Sequence, residues 1–219
     1  MDTALITGAS RGIGKSISEL FYQRGVKVIS PARSELDLGS NAGIDAYLRD
    51  IEGVDILVNC GGINELADIE GMSDDLIEKT LHINLISQMK LIRWAARSMR
   101  ANRYGRIVNF SSIWSEMSKV GRIVYSVSKA GVNGMTRAAA VELAPYGILV
   151  NAIAPGFVNT DMTSRNNTPE QIEALARSLP IGRLAEPDEI AKLAYFLASR
   201  ENSFVTGQII FADGGFSCI

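Results

Sequence analysis

Thr7-Gly8-Ala9-Ser10-Arg11-Gly12-Ile13-Gly14 decides how the rest of the chain is read. The run before it, Thr3 to Thr7, is short and apolar, and the stretch after it, Ile13 to Arg24, has the apolar spacing of a helix. A strand that turns through glycines into a helix offers the unpaired N–H groups of the helix N-terminus to a pyrophosphate. Gly8 permits the tight turn, Gly12 lets a phosphate approach the backbone, and Gly14 lets the helix pack closely on the strand. An ordinary strand-turn-helix connection reads the same over these eight residues, so the weight falls on what surrounds them.

Outward from the turn, short β-branched runs alternate with longer stretches of helical period. Strands are expected at Thr3 to Thr7, Val26 to Ser30, Val54 to Asn59, Arg106 to Phe110, Ile148 to Ala152 and Gln208 to Phe211, with Glu35-Leu36-Asp37-Leu38 as a brief additional strand. Helices are expected at Ile13 to Arg24, Ser73 to Arg100, Tyr125 to Leu143 and Pro187 to Ser199. Near-continuous apolar strands are buried on both faces, so the fold class is α/β: a single Rossmann-like domain over residues 1–219, a doubly wound parallel sheet of six to seven strands flanked by helices. Gly156 to Leu184 is rich in Pro, Gly and Asn and reads as loop plus short helix, a substrate lid over about 157–184.

Composition narrows the function. Of 219 residues 47% are apolar, enough for one sizeable core, and 22 basic against 24 acidic side chains leave a formal charge of -2 with no basic run to follow a phosphate backbone. Neither a nucleic-acid nor a membrane partner is expected, and the apolar start shows no leader pattern, so a soluble cytoplasmic protein is expected. Cys60 and Cys218 form no disulfide or zinc pattern, so no metal is expected. Cys60 reads as a small packed thiol.

Two sites carry chemistry. At the end of the second strand, Ser30-Pro31-Ala32-Arg33 holds no acid to accept hydrogen bonds from a ribose 2′-OH, while Arg33 and Arg11 offer guanidinium groups to a 2′-phosphate. NADP(H) is therefore expected over NAD(H), although both arginines could simply be solvated. Tyr125-Ser126-Val127-Ser128-Lys129 places a phenol and an ammonium four residues apart, on one face of a helix. A phenol with a pKa of about 10 can protonate a developing alkoxide near neutral pH if a cation lowers that value. A surface pair at the same spacing is common.

The glycine spacing, Gly-x3-Gly-x-Gly, together with Tyr125 and Lys129, resembles the short-chain dehydrogenase/reductase family, and motifs in the family's order run from Thr3 to Gly215. The resemblance implies that Ser112, thirteen residues before Tyr125, hydrogen-bonds the substrate oxygen, that Tyr125 protonates it, and that Lys129 binds the nicotinamide ribose. It implies that Asn84 holds a water relaying protons to Lys129. Asp37 and Leu38 match the family's adenine contacts, and Asn59-Cys60-Gly61-Gly62 matches its Asn-Asn-Ala-Gly beside the adenine ribose. Ser10 and Ile13 fall within the phosphate turn. Pro155-Gly156, the backbone of Val158 and the hydroxyl of Thr160 match its contacts to the nicotinamide amide.

Within the family the chain is most similar to 3-oxoacyl-acyl-carrier-protein reductases, which implies reduction of a 3-oxoacyl thioester and assembly as a homotetramer or homodimer. Arg103 matches one of two arginines that meet the acidic carrier, but Tyr146 stands where the other is expected. A reductase of a sugar, polyol or other small ketone is the alternative, and a non-catalytic NADP-binding regulator is the alternative from another class. Ser126-x2-Lys129 also spells the nucleophile motif of penicillin-recognising hydrolases, but their Ser-Asp-Asn and Lys-Thr-Gly elements are missing. Ile77, Leu81, Leu85, Met89, Ile92 and Met99 form a stripe along the long helix, for a second copy or for burial within the chain.

Overall fold

A computed structural model describes residues 1–219. Six parallel strands form one sheet in the order β2-β1-β3-β4-β5-β6: β1 Thr3–Thr7, β2 Lys27–Ile29, β3 Ile56–Asn59, β4 Gly105–Phe110, β5 Ile148–Pro155 and β6 Ile209–Ala212. Successive strand residues point to opposite faces, so each apolar strand feeds two cores. Leu5, Leu57, Ile107 and Val150 face one core with α2 (Asn41–Arg49), α4 (Ser87–Asn102) and α5 (Ile123–Leu143). Ala4, Ile6, Ile56, Val58 and Val108 face the other, under α1 (Gly12–Gln23) and α8 (Pro187–Ala198).

The chain leaves β1 toward β2 on one side and returns to β3 on the other, so the strand order reverses beside β1. In open α/β sheets that reversal opens a crevice at the carboxyl ends of the strands. Here Thr7 pairs with Asn59, which brings the glycine turn after β1 against Cys60-Gly61 after β3.

Six strands and three of the four expected helices lie where the sequence places them, within a few residues at each end, and three segments differ. Glu35 to Leu38 is not a strand: Glu35 and Leu36 N–H groups donate to the Ala32 carbonyl, and the Glu35 carboxylate accepts from Ala32 N–H at 2.7 Å, closing a local turn. A helix follows it, α2, started by the Ser40 hydroxyl accepting from Gly43 N–H and fixed by buried Ile44 and Leu48 four residues apart.

The long helix is broken into α3 (Asp74–Leu81), a π-helical turn over His82–Ile86, and α4. Its stripe divides accordingly: Ile92 and Met99 belong to the core, whereas Met89 is exposed. The segment 157–184 contains two helices, α6 (Asp161–Asn166) and α7 (Pro169–Ser178), the latter opened by a Thr168/Gln171 capping box. No helix is long and apolar enough to cross a membrane.

Candidate active site

The crevice beside β1 is built for backbone to meet an anion. Gly8 has φ +72°, and a Cβ there would lie 2.7 Å from Gly61 Cα; a methyl at Gly14 would run into the Gly8 carbonyl oxygen. At the N-terminus of α1 no side chain caps the helix and no acid occupies the first turn, so its N–H groups and positive dipole end stay available. The cleft is lined by Gly8, Ser10, Arg11, Gly12, Ile13, Gly14, Arg33, Asp37, Leu38, Cys60 and Gly61, and closed on one side by Thr160, Asp161 and Met162. A pyrophosphate-linked dinucleotide fits this donor set: open helix amides, a glycine floor and two flanking guanidinium groups.

Of the remaining expected cofactor residues, Thr160 lines the cleft, while Asn59, Pro155, Gly156 and Val158 do not. Asn59 is fully buried behind it and donates to Asn109 Oδ1 at 2.9 Å. Pro155 ends β5, and Gly156 donates to the Ala212 carbonyl where a Cβ would strike Asp213. The Val158 carbonyl accepts from the Thr163 hydroxyl at 2.6 Å, and the Thr160 side chain closes over Gly12.

The catalytic candidates converge from three elements. Ser112 follows β4, Tyr125 and Lys129 share one face of α5, and Asn84 sits in the π-helical turn. All four are buried. A network ties the Ser112 loop to α5: Ser111 Oγ donates to the Lys129 carbonyl at 3.2 Å, and Asn133 Nδ2 donates to Ser115 Oγ at 2.9 Å. Ser115 Oγ in turn donates to the Ser112 carbonyl at 2.6 Å.

The π-helical turn places Asn84 so that its amide is fully engaged. Its Oδ1 accepts from Ile63 N–H at 2.9 Å, while Nδ2 donates to the Ile63 carbonyl at 2.9 Å and to Ser128 Oγ at 3.1 Å. The side chain thus clamps the loop after β3 to α5. Lys129 Nζ donates to the Phe110 carbonyl at 2.7 Å and lies 5.6 Å from the Tyr125 ring centre.

Burial governs the electrostatics. It draws the Lys129 ammonium down to about 8, against a smaller opposing pull from Cys60. It pushes the Cys60 thiol up to about 12, so the thiol keeps its proton near neutral pH. Burial also raises the Tyr125 phenol; the Ser112 hydroxyl and then the Arg122 guanidinium pull it back down, and Cys60 pushes it up. The Lys129 ammonium, 5.6 Å from the ring centre, is the cation the sequence points to; Arg122 is a second cation acting on the phenol, a residue sequence reasoning passes over. The available signal was its position three residues before Tyr125, where a helix brings side chains together.

A family model described as enoyl-(acyl carrier protein) reductase matches residues 34–217. The 3-oxoacyl-acyl-carrier-protein reductase FabG of Vibrio cholerae is 40% identical over 238 residues, covering 99% of this chain and 97% of that protein. Its counterpart in Rickettsia bellii is 39% identical, covering 97% and 95%. Among solved structures, a short-chain dehydrogenase/reductase family protein superposes with a TM-score of 0.91 at 30% identity, covering 98% and 97%. A Beutenbergia cavernae protein with bound NADP, described provisionally as an NAD(P)-dependent gluconate 5-dehydrogenase, superposes at 0.95 with 31% identity, covering 100% and 97%.

Proposed function

The chain belongs to the short-chain dehydrogenase/reductase family and is an NAD(P)-dependent oxidoreductase acting on CH–OH groups, and from that premise we propose that it uses NADP(H) to reduce the 3-oxo group of an acyl thioester borne by a carrier protein. The observation that carries the substrate reading is the 40% identity to a 3-oxoacyl-acyl-carrier-protein reductase over almost the whole of both chains. The structural neighbour described as a sugar-acid dehydrogenase stands further off in sequence, at 31%. Arg103 supplies a positive contact for an acidic carrier. Arg100 lies 4.7 Å above the ring of Tyr146 but is paired with Glu142 at 2.6 Å, so Tyr146 leaves Arg103 as the unpaired arginine of this surface. The open face of α4 around Met89 supports assembly as a homodimer or homotetramer.

Bound NADPH supplies the hydride that the carbonyl carbon receives. Ser112 Oγ donates a hydrogen bond to the carbonyl oxygen, and Tyr125 Oη transfers its proton to that oxygen as charge develops on it. Lys129 Nζ, anchored by the Phe110 carbonyl, lies beside Tyr125 to hold the ribose hydroxyls. Asn84 keeps the loop after β3 in register with α5 through Ile63 and Ser128. The lid segment 157–184 excludes water once substrate is bound.

Steady-state assays with NADPH and acetoacetyl thioesters, set against a panel of ketones and keto-sugars, test the substrate. Turnover of the thioesters at the highest kcat/KM is expected, and no turnover of any thioester overturns the reading. Cofactor choice has its own test. Arg33 is mostly exposed and its nearest acid, Asp37, lies 4.0 Å away, so its contact with a 2′-phosphate is partly screened. Arg33→Ala is expected to raise KM for NADPH about tenfold, the equivalent of ~1.4 kcal/mol, with KM for NADH nearly unchanged. A wild-type preference for NADH sinks the NADP(H) assignment.

A further inference from the structure

Arg122 is a buried cation without an anion. It precedes the first turn of α5, is 8% exposed, and stacks its guanidinium 4.9 Å above the ring of Trp114. None of the chain's ion pairs includes it. Its Nη1 is buried with no hydrogen-bond partner in the protein. An unpaired buried charge is expensive, and native structures accept it where a ligand completes the pair. The position adjoins the turn that follows Ser112 and the first turn of α5, which carries Tyr125. Trp114 lies two residues after Ser112 and meets Phe157 edge-on at 6.1 Å, which meets Phe216 edge-on at 5.4 Å. These rings make an apolar wall beside the serine and tyrosine that face the reacting oxygen, and the Arg122 charge is felt by the Tyr125 phenol.

We propose that Arg122, held flat by Trp114, forms a carboxylate subsite, so that the enzyme takes oxo-carboxylates with the carboxylate on Arg122 and the oxo group on Tyr125 and Ser112. A planar guanidinium fixed by stacking presents two parallel N–H donors to a carboxylate, and the dry surroundings strengthen the contact. The proposal rests on the carbonyl-reduction reading of the Tyr125 site; a carrier-borne acyl thioester has no carboxylate at its first carbon, so the subsite adds free oxo-carboxylates as a second substrate class beside the thioester.

Two measurements test it, one of which needs no turnover. In the enzyme loaded with NADP+, butyrate titrated against tryptophan fluorescence is expected to bind at least tenfold more tightly than butyramide. Arg122→Gln removes that preference and Arg122→Lys, which keeps the charge, retains part of it. Equal binding of butyrate and butyramide by the wild type, or a preference that survives in Arg122→Gln, overturns the subsite. In the second measurement, the ratio of kcat/KM for acetoacetate to that for its methyl ester, with NADPH, is expected to fall at least tenfold in Arg122→Gln. An equal loss on both compounds overturns the subsite and leaves Arg122 as a residue acting on Tyr125 alone. Absence of turnover with an intact butyrate preference counts against the carbonyl-reduction reading while supporting the subsite.

Discussion

Tyr125→Phe is expected to lower kcat about a thousandfold while the dissociation constant for NADPH stays within about twofold. The substitution removes one oxygen and leaves a ring of the same shape. That ring is buried, lies 5.6 Å from Lys129 Nζ, and keeps this packing as phenylalanine. What disappears is the proton that must reach the carbonyl oxygen during hydride arrival, and the Lys129 ammonium is tied to the Phe110 carbonyl and set back from the phenol's place. Ser112 can hydrogen-bond the oxygen but holds its own proton far too tightly to give it up. A loss of about three orders of magnitude corresponds to ~4 kcal/mol of transition-state stabilisation. Single-turnover kinetics on the NADPH-loaded variant separate this from a binding defect. Retention of more than a tenth of wild-type kcat removes Tyr125 from its role as proton donor. Turnover by the wild type itself excludes the alternative of a cofactor-binding regulator.

The stretch from Thr3 to Gly14 was legible because each residue answers a local demand: apolar strand, positive-φ glycine, open helix start. The same holds for β3 to β5, whose runs are buried on both faces. Glu35 to Leu38 alternates polar and apolar residues as a strand does, yet the Glu35 carboxylate reaches back to Ala32 and closes a turn. The helix α2 was overlooked although Ser40 is a sound cap, since nine residues between two turn-rich stretches carry little periodic signal.

At the site, Ser112, Tyr125 and Lys129 could be read from spacing, but spacing says nothing about the network around them. The engagement of the Asn84 amide with Ile63 and Ser128 depends on the π-helical turn, and a single extra residue in a helix leaves no mark on an apolar stripe. Arg122 was legible only as a residue three positions before Tyr125, for a related reason. An arginine near a helix start reads as a solvated surface group until the fold lays it on Trp114 and buries it.

Lys129→Met is expected to abolish most activity and, in the cofactor-free protein, to change how stability responds to pH. The ammonium is buried, and burial brings it to about 8 from an ordinary value of 10.5. Below pH 8 both folded and unfolded chains carry the proton, and the folded state bears the desolvation penalty, about 3 kcal/mol for a difference of this size. Between pH 8 and 10.5 the unfolded chain holds a proton that the folded chain has released, so wild-type stability rises with pH and the penalty disappears. Methionine has no such penalty, but it leaves the Phe110 carbonyl without its donor at a cost of about 1–3 kcal/mol. At pH 7 the two effects offset, so the sign of the difference is less telling than its slope. Urea unfolding at pH 7 and pH 9.5 is expected to show Lys129→Met losing ground to the wild type by about 2 kcal/mol across that interval. A difference that stays constant with pH shows that the ammonium is not desolvated in the folded chain. The activity arm follows from the same atom. Without Nζ the ribose loses its cation and kcat/KM falls at least a hundredfold, while in the wild type the alkaline limb of the kcat/KM profile sets in near pH 8, where the free enzyme gives up the Lys129 proton.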